Sequence, residues 1–291
     1  MEEQIYQERR QKSELALANV YNLPAMSATM LEVSKLLDDP STNTSVLSKI
    51  IGRDQGLSTK ILSIANSPLY GLTRKVSTID FAILIIGYQD IKNIVVALTM
   101  VDSFRNKSDK YLDQNSFWMH SMLAGTACKR VAEDLGFRIG SEAFVAGLLH
   151  DLGIPVMHKF FKNEFQEIVD EFNAGDQSVL DVEKKYLGMD HQEIGNFLSQ
   201  KWSLPDHLAT AILYHHKPSD APENDVLTSI VHLVDFMTQK LEIGGYYMDR
   251  GMELDTSVLE ILGIGNEDEL ETFVESYREL FSEEINSDLF S

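Results

Sequence analysis

The chain has 291 residues, 44% of them hydrophobic, and a single cysteine, which suits a globular protein with a packed core and excludes an internal disulfide framework. Its formal charge of -20 is uneven: residues 1–110 carry 13 Lys and Arg against 12 Asp and Glu, and residues 111–291 carry 12 against 33. The acidic field of the second part repels phosphate backbones, which argues against nonspecific nucleic-acid binding there and leaves the first part neutral on that question. The opening M-E-E-Q-I-Y-Q-E-R-R-Q-K is charged where a secretory signal would be apolar, and the apolar stretches at 81–86 and 94–101 are too short to span a bilayer. A cytoplasmic protein without a membrane anchor is expected.

Ile5, Leu15, Leu17, Val20 and Tyr21 among charges predict an amphipathic first helix over residues 1–22, ended by Pro24. Met30, Leu31, Val33, Leu36 and Leu37 predict a second over 27–37, stopped by Asp38-Asp39-Pro40. Thr44 or Ser45 caps a third to about Arg53, Gln55-Gly56 turns into a helix over 57–65, and Asn66-Ser67-Pro68 with Gly71 forms a loop. Ser77 and Asp80 ahead of F-A-I-L-I-I-G read as a capping box, a buried helix and a glycine stop, and Asp90 opens a helix to about Phe104. No alternating strand pattern emerges, so the expected fold class is all-α. Residues 105–115, R-N-K-S-D-K-Y-L-D-Q-N, are the most polar stretch to that point and the natural hinge between an N-terminal helical subdomain (1–110) and a helical core (111–245).

From Phe117 to Leu135 a helix carries His120, Ala124, Ala127 and Val131 on one face, and Cys128 among small apolar neighbours reads as a buried core thiol. The run F-V-A-G-L-L-H-D-L-G-I at 144–154 predicts a buried helix, closed by Gly153 and Pro155, that delivers His150 and Asp151 at its C-terminal end. An ionised carboxylate there is expensive to bury alone, so Asp151 needs a cation, a set of donors or a proton. Further helices are expected around 164–172, over 179–187, from His191, over 208–215 after Leu204-Pro205, and over 226–240 up to Gly244-Gly245. Residues 249–291 hold 13 acidic residues against Arg250 and Arg278, yet Leu259, Ile261, Leu262, Leu270, Phe273 and Leu280 keep a helical stripe. An ordered acidic helical extension (246–291) with a frayed tip is expected.

All eight histidines fall between residues 120 and 232. His120, the His150-Asp151 pair, His191, the His215-His216 pair and Asp235 each belong to a different predicted helix, and helices packed about a common centre converge such side chains into metal sites. Mixed nitrogen and oxygen donors suit divalent iron, manganese or zinc. Plainer readings stand beside this one. His150 and Asp151 could be a hydrogen-bonded helix end, His120 and Asp235 a buried polar contact, and His191 part of a cap with Asp190 as N-cap. His215 and His216 lie about 100° apart on a helix and share an ion only if the helix ends there. His232, three residues before Asp235, is placed to be its hydrogen-bond partner, and His158 and His207 read as surface or boundary residues. Trp118 and Trp202 read as core. The 47–65 region mimics a helix-turn-helix, but its second helix offers only Lys60 as a basic contact.

The ordered series His120, His150-Asp151 and Asp235 (in H-L-V-D) resembles the HD superfamily of helical metal-dependent phosphohydrolases. More specifically, L-P-A-M, then I-I-G-R-D-Q-G-L-S-T-K-I-L-S-I-A-N-S-P-L-Y-G, V-S-T-I-D-F-A-I-L-I-I-G-Y, L-L-H-D-L-G and D-H-Q-E-I-G resemble the HDOD family over residues 15–240. That resemblance implies a bacterial signalling module whose HD-like core has often lost catalytic residues. The ligand series here is complete, and His191, His215 and His216 are similar to the extra histidines of the HD-GYP phosphodiesterases, which implies a metal-bridging, activating role for Asp151. The catalytic families often carry Lys where this chain has Ile154, and no G-Y-P follows His216, where the chain reads K-P-S-D-A-P. The expected function is a stand-alone signalling module with an HD-type metal site and little or no catalysis, its partners being signalling proteins on other chains or a nucleotide-type ligand. The alternative is an active metal-dependent phosphohydrolase acting on a nucleotide or cyclic dinucleotide.

Overall fold

The apolar run around Phe144 becomes a buried helix, with every residue from Ala143 to Leu149 buried. The computed structural model describes residues 2–18, 32–33, 36, 43–72, 74–104, 107–175, 177–202, 204–222 and 225–286. No strand occurs among the described residues, and the fold is all-α as expected. The L-P-A-M segment, most of the helix expected over 27–37, and the last five residues lie outside them.

In chain order the first helices are α1 (Glu2–Ala18), α2 (Thr44–Ile51), α3 (Gln55–Ala65), α4 (Ile79–Ile86) and α5 (Tyr88–Phe104). The central ones are α6 (Gln114–Asp134), α7 (Gly140–Leu149), α8 (Gly153–Phe160), α9 (Lys162–Ala174) and α10 (Val179–Leu187). The chain continues through α11 (His191–Lys201), α12 (Asp206–Tyr214), α13 (Val226–Leu241), α14 (Ser257–Leu262), α15 (Glu267–Ser276) and α16 (Arg278–Ile285). Single 3-10 turns occupy Pro68–Tyr70, Pro218–Asp220 and Tyr247–Asp249.

Several boundaries differ from the sequence expectation because a neighbouring polar side chain reaches the free N–H groups of the first turn. Asn43 caps α2 in place of Thr44 or Ser45, and Asp54 caps α3, drawing Gln55 and Gly56 into the helix. Thr78, not Ser77, caps α4, and Asp113 starts α6 ahead of Phe117. Gly153 and Pro155 do not close α7 but form the first turn of α8, where proline's missing N–H costs nothing. Helix α13 ends on Glu242 in the left-handed region, φ 57°, before Gly244-Gly245 is reached.

Helix α7 packs against α6, α5, α13 and α12. Its approach to α6 depends on glycines: a Cβ on Gly147 would meet the Ala124 carbonyl oxygen and the Cys128 Sγ at 2.7 Å, and one on Gly125 would meet the Phe144 carbonyl oxygen at 3.0 Å. Helix α1 lies on α10, with Ser13 Oγ donating to the Leu187 carbonyl at 2.7 Å and Arg10 pairing with Glu193 at 2.7 Å. In the helix-turn-helix mimic, Leu57, Ile61, Ile64 and Ala65 are buried, and the Lys60 ammonium is held by Asp102 and lies over the Trp118 ring. Trp202 packs on Phe104, and Cys128 is buried.

The C-terminal helices fold back on residues far away in the chain. Fully buried Glu284 accepts hydrogen bonds from Ser67 Oγ at 2.6 Å and Thr126 Oγ1 at 3.2 Å. Burial pushes its carboxyl up from an ordinary 4.5 to about 7, against the two hydroxyl bonds, which lower it. Between those values the folded chain keeps a proton that the unfolded chain has released, so this group's contribution is full below 4.5 and lost as pH rises through 7, about 3 kcal/mol in all. Glu284→Gln should remove that slope, gaining stability over the parent at pH 8 relative to pH 5 in urea unfolding; identical slopes in the two proteins would mean that Glu284 is ionised throughout.

Candidate metal centre

Eight side chains from separate elements meet at one end of α7. His120 projects from the middle of α6, His150 is the C-cap of α7, and Asp151 lies in the junction to α8. His191 opens α11, His215 is the C-cap of α12 with His216 next to it, and Asp235 lies on α13. Asp249 ends the 3-10 turn that follows α13. The start of α11 is held by a capping box between Asp190 and Glu193 and by close contact with α8, where a Cβ on Gly153 would come within 2.1 Å of the His191 carbonyl oxygen. The plainer cap reading of His191 therefore falls to Asp190 alone, and His191 itself turns inward. Helix α12 ends at Tyr214 with His215 still in the right-handed helical region, and both His215 and His216 offer a nitrogen to the cluster.

The imidazoles are oriented by their outer nitrogens. Nδ1–H of His120 donates to the Gly244 carbonyl at 2.9 Å, that of His150 to Gly147 at 2.7 Å, and that of His215 to Ile212 at 2.8 Å. His191 Nδ1–H donates to Glu183 Oε2 at 2.8 Å. A carbonyl only accepts, so the proton sits on Nδ1 and each neutral ring presents the Nε2 lone pair inward. Those nitrogens crowd together: His120 and His150 at 3.2 Å, His191 and His215 at 3.4 Å, and His191 and His216 at 3.0 Å. Lone pairs this close repel unless a proton or a cation lies between them.

Asp151 joins two halves. Its Oδ2 lies 3.2 Å from His150 Nε2 and 3.5 Å from His120 Nε2, while Oδ1 lies 3.5 Å from both His191 and His215 Nε2. Asp235 Oδ1 is 3.7 Å from His120 Nε2, and Asp249 reaches His120 with Oδ2 and His216 with Oδ1, each at 4.0 Å. All six oxygens of these aspartates are buried without a hydrogen bond of ordinary geometry. Donor atoms within 4.8 Å of one another form the sets Asp151, His191, His215, His216 and His120, His150, Asp235, and Asp249 joins His120 and Asp151 in one further set and His216 and Asp235 in another. This donor set fits borderline divalent cations.

Charge is balanced by protons where no cation is supplied. Burial opposes the His150 imidazolium, but the adjacent Asp151 carboxylate prevails and pushes it up to about 9; burial likewise opposes that of His191, which Glu183 raises to about 9. Burial, reinforced by Asp235 and Asp151, pushes Asp249 well above the ordinary carboxylate range. Burial lowers His215 and, with the neighbouring imidazoles, holds His216 well below its ordinary value.

Two histidines sit differently from expectation. His232 is not the partner of Asp235: its Nδ1–H donates to the His215 carbonyl at 2.7 Å and its Nε2 accepts from Asp255 N–H at 2.8 Å, so it braces the end of α12. His158 is buried, with Nε2–H donating to Asp109 at 3.0 Å, whereas His207 is exposed as expected. Glu183 and Asp249 were not legible as site residues. Glu183 lies beside Lys184 and Lys185 in an amphipathic helix, where it reads as part of a charged face, and Asp249 opens a run of acidic residues and shares no helix with the other donors.

Gly153→Ala, although no donor is touched, should cost about 1–3 kcal/mol of stability and weaken divalent-ion binding, because backbone of two helices must separate to admit the methyl group. Unfolding and metal titrations of the variant check this. With a chelator present, the stabilisation that His150 and His191 owe to their protons is full below about 6.5 and lost as pH rises through about 9, so the melting temperature should fall across that window. Saturating Mn²⁺ should flatten the fall, since binding replaces those protons, and calorimetry in buffers of different ionisation enthalpy should detect their release.

A curated relative, an uncharacterised protein of Treponema pallidum, is 24% identical over 268 residues, which is 90% of this chain and 50% of its own length. The chain thus spans about half the length of the curated relative it matches. Among solved structures, an HDOD domain protein of unknown function from Geobacter sulfurreducens superposes with a TM-score of 0.76 at 24% identity, covering 97% of this chain and 98% of that one. A candidate phosphohydrolase from Shewanella amazonensis gives 0.69 at 22% identity, covering 95% and 98%. A candidate signal transduction protein from Marinobacter aquaeolei gives 0.68 at 20% identity, covering 98% of this chain and 66% of that one. At these identities the likeness establishes the helical fold. The HDOD domain model matches residues 23–218, more than half of the sequence, and the chain belongs to the HDOD family.

Proposed function

We propose that this is a bacterial HDOD signalling module built on a divalent-metal centre, with little or no turnover. The observation that carries this reading is the set of six buried, unbonded carboxylate oxygens facing inward-turned imidazole lone pairs. One ion would be held by His120, His150, Asp151 and Asp235, the other by Asp151, His191, His215 and His216, with iron, manganese and zinc all compatible. Divalent ions in such a site supply electrophilic polarisation and lower the pKa of bound water. The chain's own contribution is orientation: Glu183 and the carbonyls of Gly147, Ile212 and Gly244 fix the rings. Two residues weigh against phosphoryl chemistry. Ile154 is fully buried where the catalytic families that the chain resembles often carry Lys, and Lys217, after the histidine pair, is turned to Asp220 at 3.1 Å. Neither of these two positions therefore offers a cation to a phosphoryl group.

Signalling proteins or a nucleotide-type ligand are the proposed partners, in keeping with the Marinobacter relative described as a candidate signal transduction protein. A cytoplasmic location accords with the absence, among the described residues, of any helix long and apolar enough to cross a membrane. Residues 1–110, 111–245 and 246–291 are proposed as the N-terminal subdomain, the core and the acidic extension. The second reading, a phosphohydrolase of nucleotides or cyclic dinucleotides, is favoured by one feature: Asp151 turns one oxygen to each half of the centre, as an activating, bridging carboxylate would.

Elemental analysis of the isolated and Mn²⁺-loaded protein should give near-stoichiometric metal that is lost in a His150→Ala, Asp151→Ala double variant, with no hydrolysis of phosphodiesters by the loaded protein. A protein that takes up no Mn²⁺, Fe²⁺ or Zn²⁺ would reduce the cluster to a structural core. Robust hydrolysis abolished by the double variant would establish the second reading instead.

A further inference from the structure

We propose that Asp249 closes the metal centre from within, its carboxylate spanning both halves and taking the coordination positions that an open centre leaves to water or phosphate. The proposal rests on the two-ion reading above. Asp249 is 2% exposed, neither of its oxygens makes a hydrogen bond, and each points to a different half, Oδ2 to His120 and Oδ1 to His216, both at 4.0 Å. It would therefore face both ions, at a longer reach than Asp151, and add a protein donor to each. Metal sites that react with exogenous ligands keep a position open, and those filled by protein donors do not. Asp249 also lies beyond residues 23–218, the part of the chain that matches the family.

The segment that carries Asp249 is tied down along its length. The Gly244 carbonyl holds His120, and Gly244 itself adopts φ 69° so close to α6 that a Cβ would lie 2.3 Å from Leu123 Cδ2. Gln239 Nε2–H donates to the Tyr246 carbonyl at 3.0 Å, and Tyr247 O–H donates to the Tyr111 carbonyl at 2.7 Å. On the far side the Arg250 guanidinium lies 4.9 Å from the Phe172 ring centre. These ties hold the turn Tyr247–Asp249 to α6, α13 and α9, with Met248 buried beside the carboxylate. His216 is the most accessible of the donors, with 9% of its side chain exposed, so little solvent reaches the rest.

The test loads the parent, Asp249→Ala and Asp249→Asn with Mn²⁺, measures bound metal by elemental analysis, and then follows water-proton relaxation while inorganic phosphate is added. The parent should bind metal yet show low relaxivity that phosphate does not change. Asp249→Ala should keep its metal and gain relaxivity severalfold, and phosphate should suppress the gain by displacing the admitted water. If the Ala variant folds poorly or loses metal, Asp249→Asn decides: it keeps the shape with a weaker donor, and phosphate should bind to it but not to the parent. Metal-loaded parent with high, phosphate-sensitive relaxivity, or an Asn variant as inert as the parent, would overturn the closure while leaving the metal centre intact. A parent that binds no metal would overturn both.

Discussion

Three aspartates, Asp151, Asp235 and Asp249, are buried together with no hydrogen bonds to their carboxylates, and the surrounding structure is organised to make that tolerable. Like charges at such separations, away from water, are held only by compensating positive charge. Five imidazoles supply the means, as protonated rings at His150 and His191 or as neutral donors to a cation. His150 and His215 are built alike: each caps the C-terminus of its helix and returns its Nδ1–H to the carbonyl three residues before, a group the helix itself leaves free. One local device thus places two inward lone pairs at the ends of α7 and α12.

Convergence from so many elements requires backbones to approach closely, and glycine permits it at the decisive contacts. Gly125 and Gly147 let α6 and α7 meet, which brings His120 to His150, and Gly153 lets the start of α8 meet the start of α11, which brings His191 to Asp151. A methyl group at either contact would meet backbone atoms that have no rotamer to change. A different close approach, that of Gly244 to Leu123 of α6, accompanies the segment that brings Asp249 to the cluster.

Much of this was present in the order of residues. The helical periods, the buried run ending in His150 and Asp151, the grouping of histidines after residue 119 and the apolar stripe of the acidic extension all follow from local pattern, because burial of one face fixes the spacing along one element. The sequence by itself also determined the all-α class and pointed to His120, His150, Asp151, His191, His215, His216 and Asp235, which the fold brings together. Only the tertiary structure decided that His158 is buried, that His232 braces the end of α12 and does not pair with Asp235, and that Glu183 and Asp249 lie at the cluster. The reason is physical: periodicity reports which face of a single helix is buried, whereas the meeting of side chains from separate elements depends on how closely and at what angle their backbones pack.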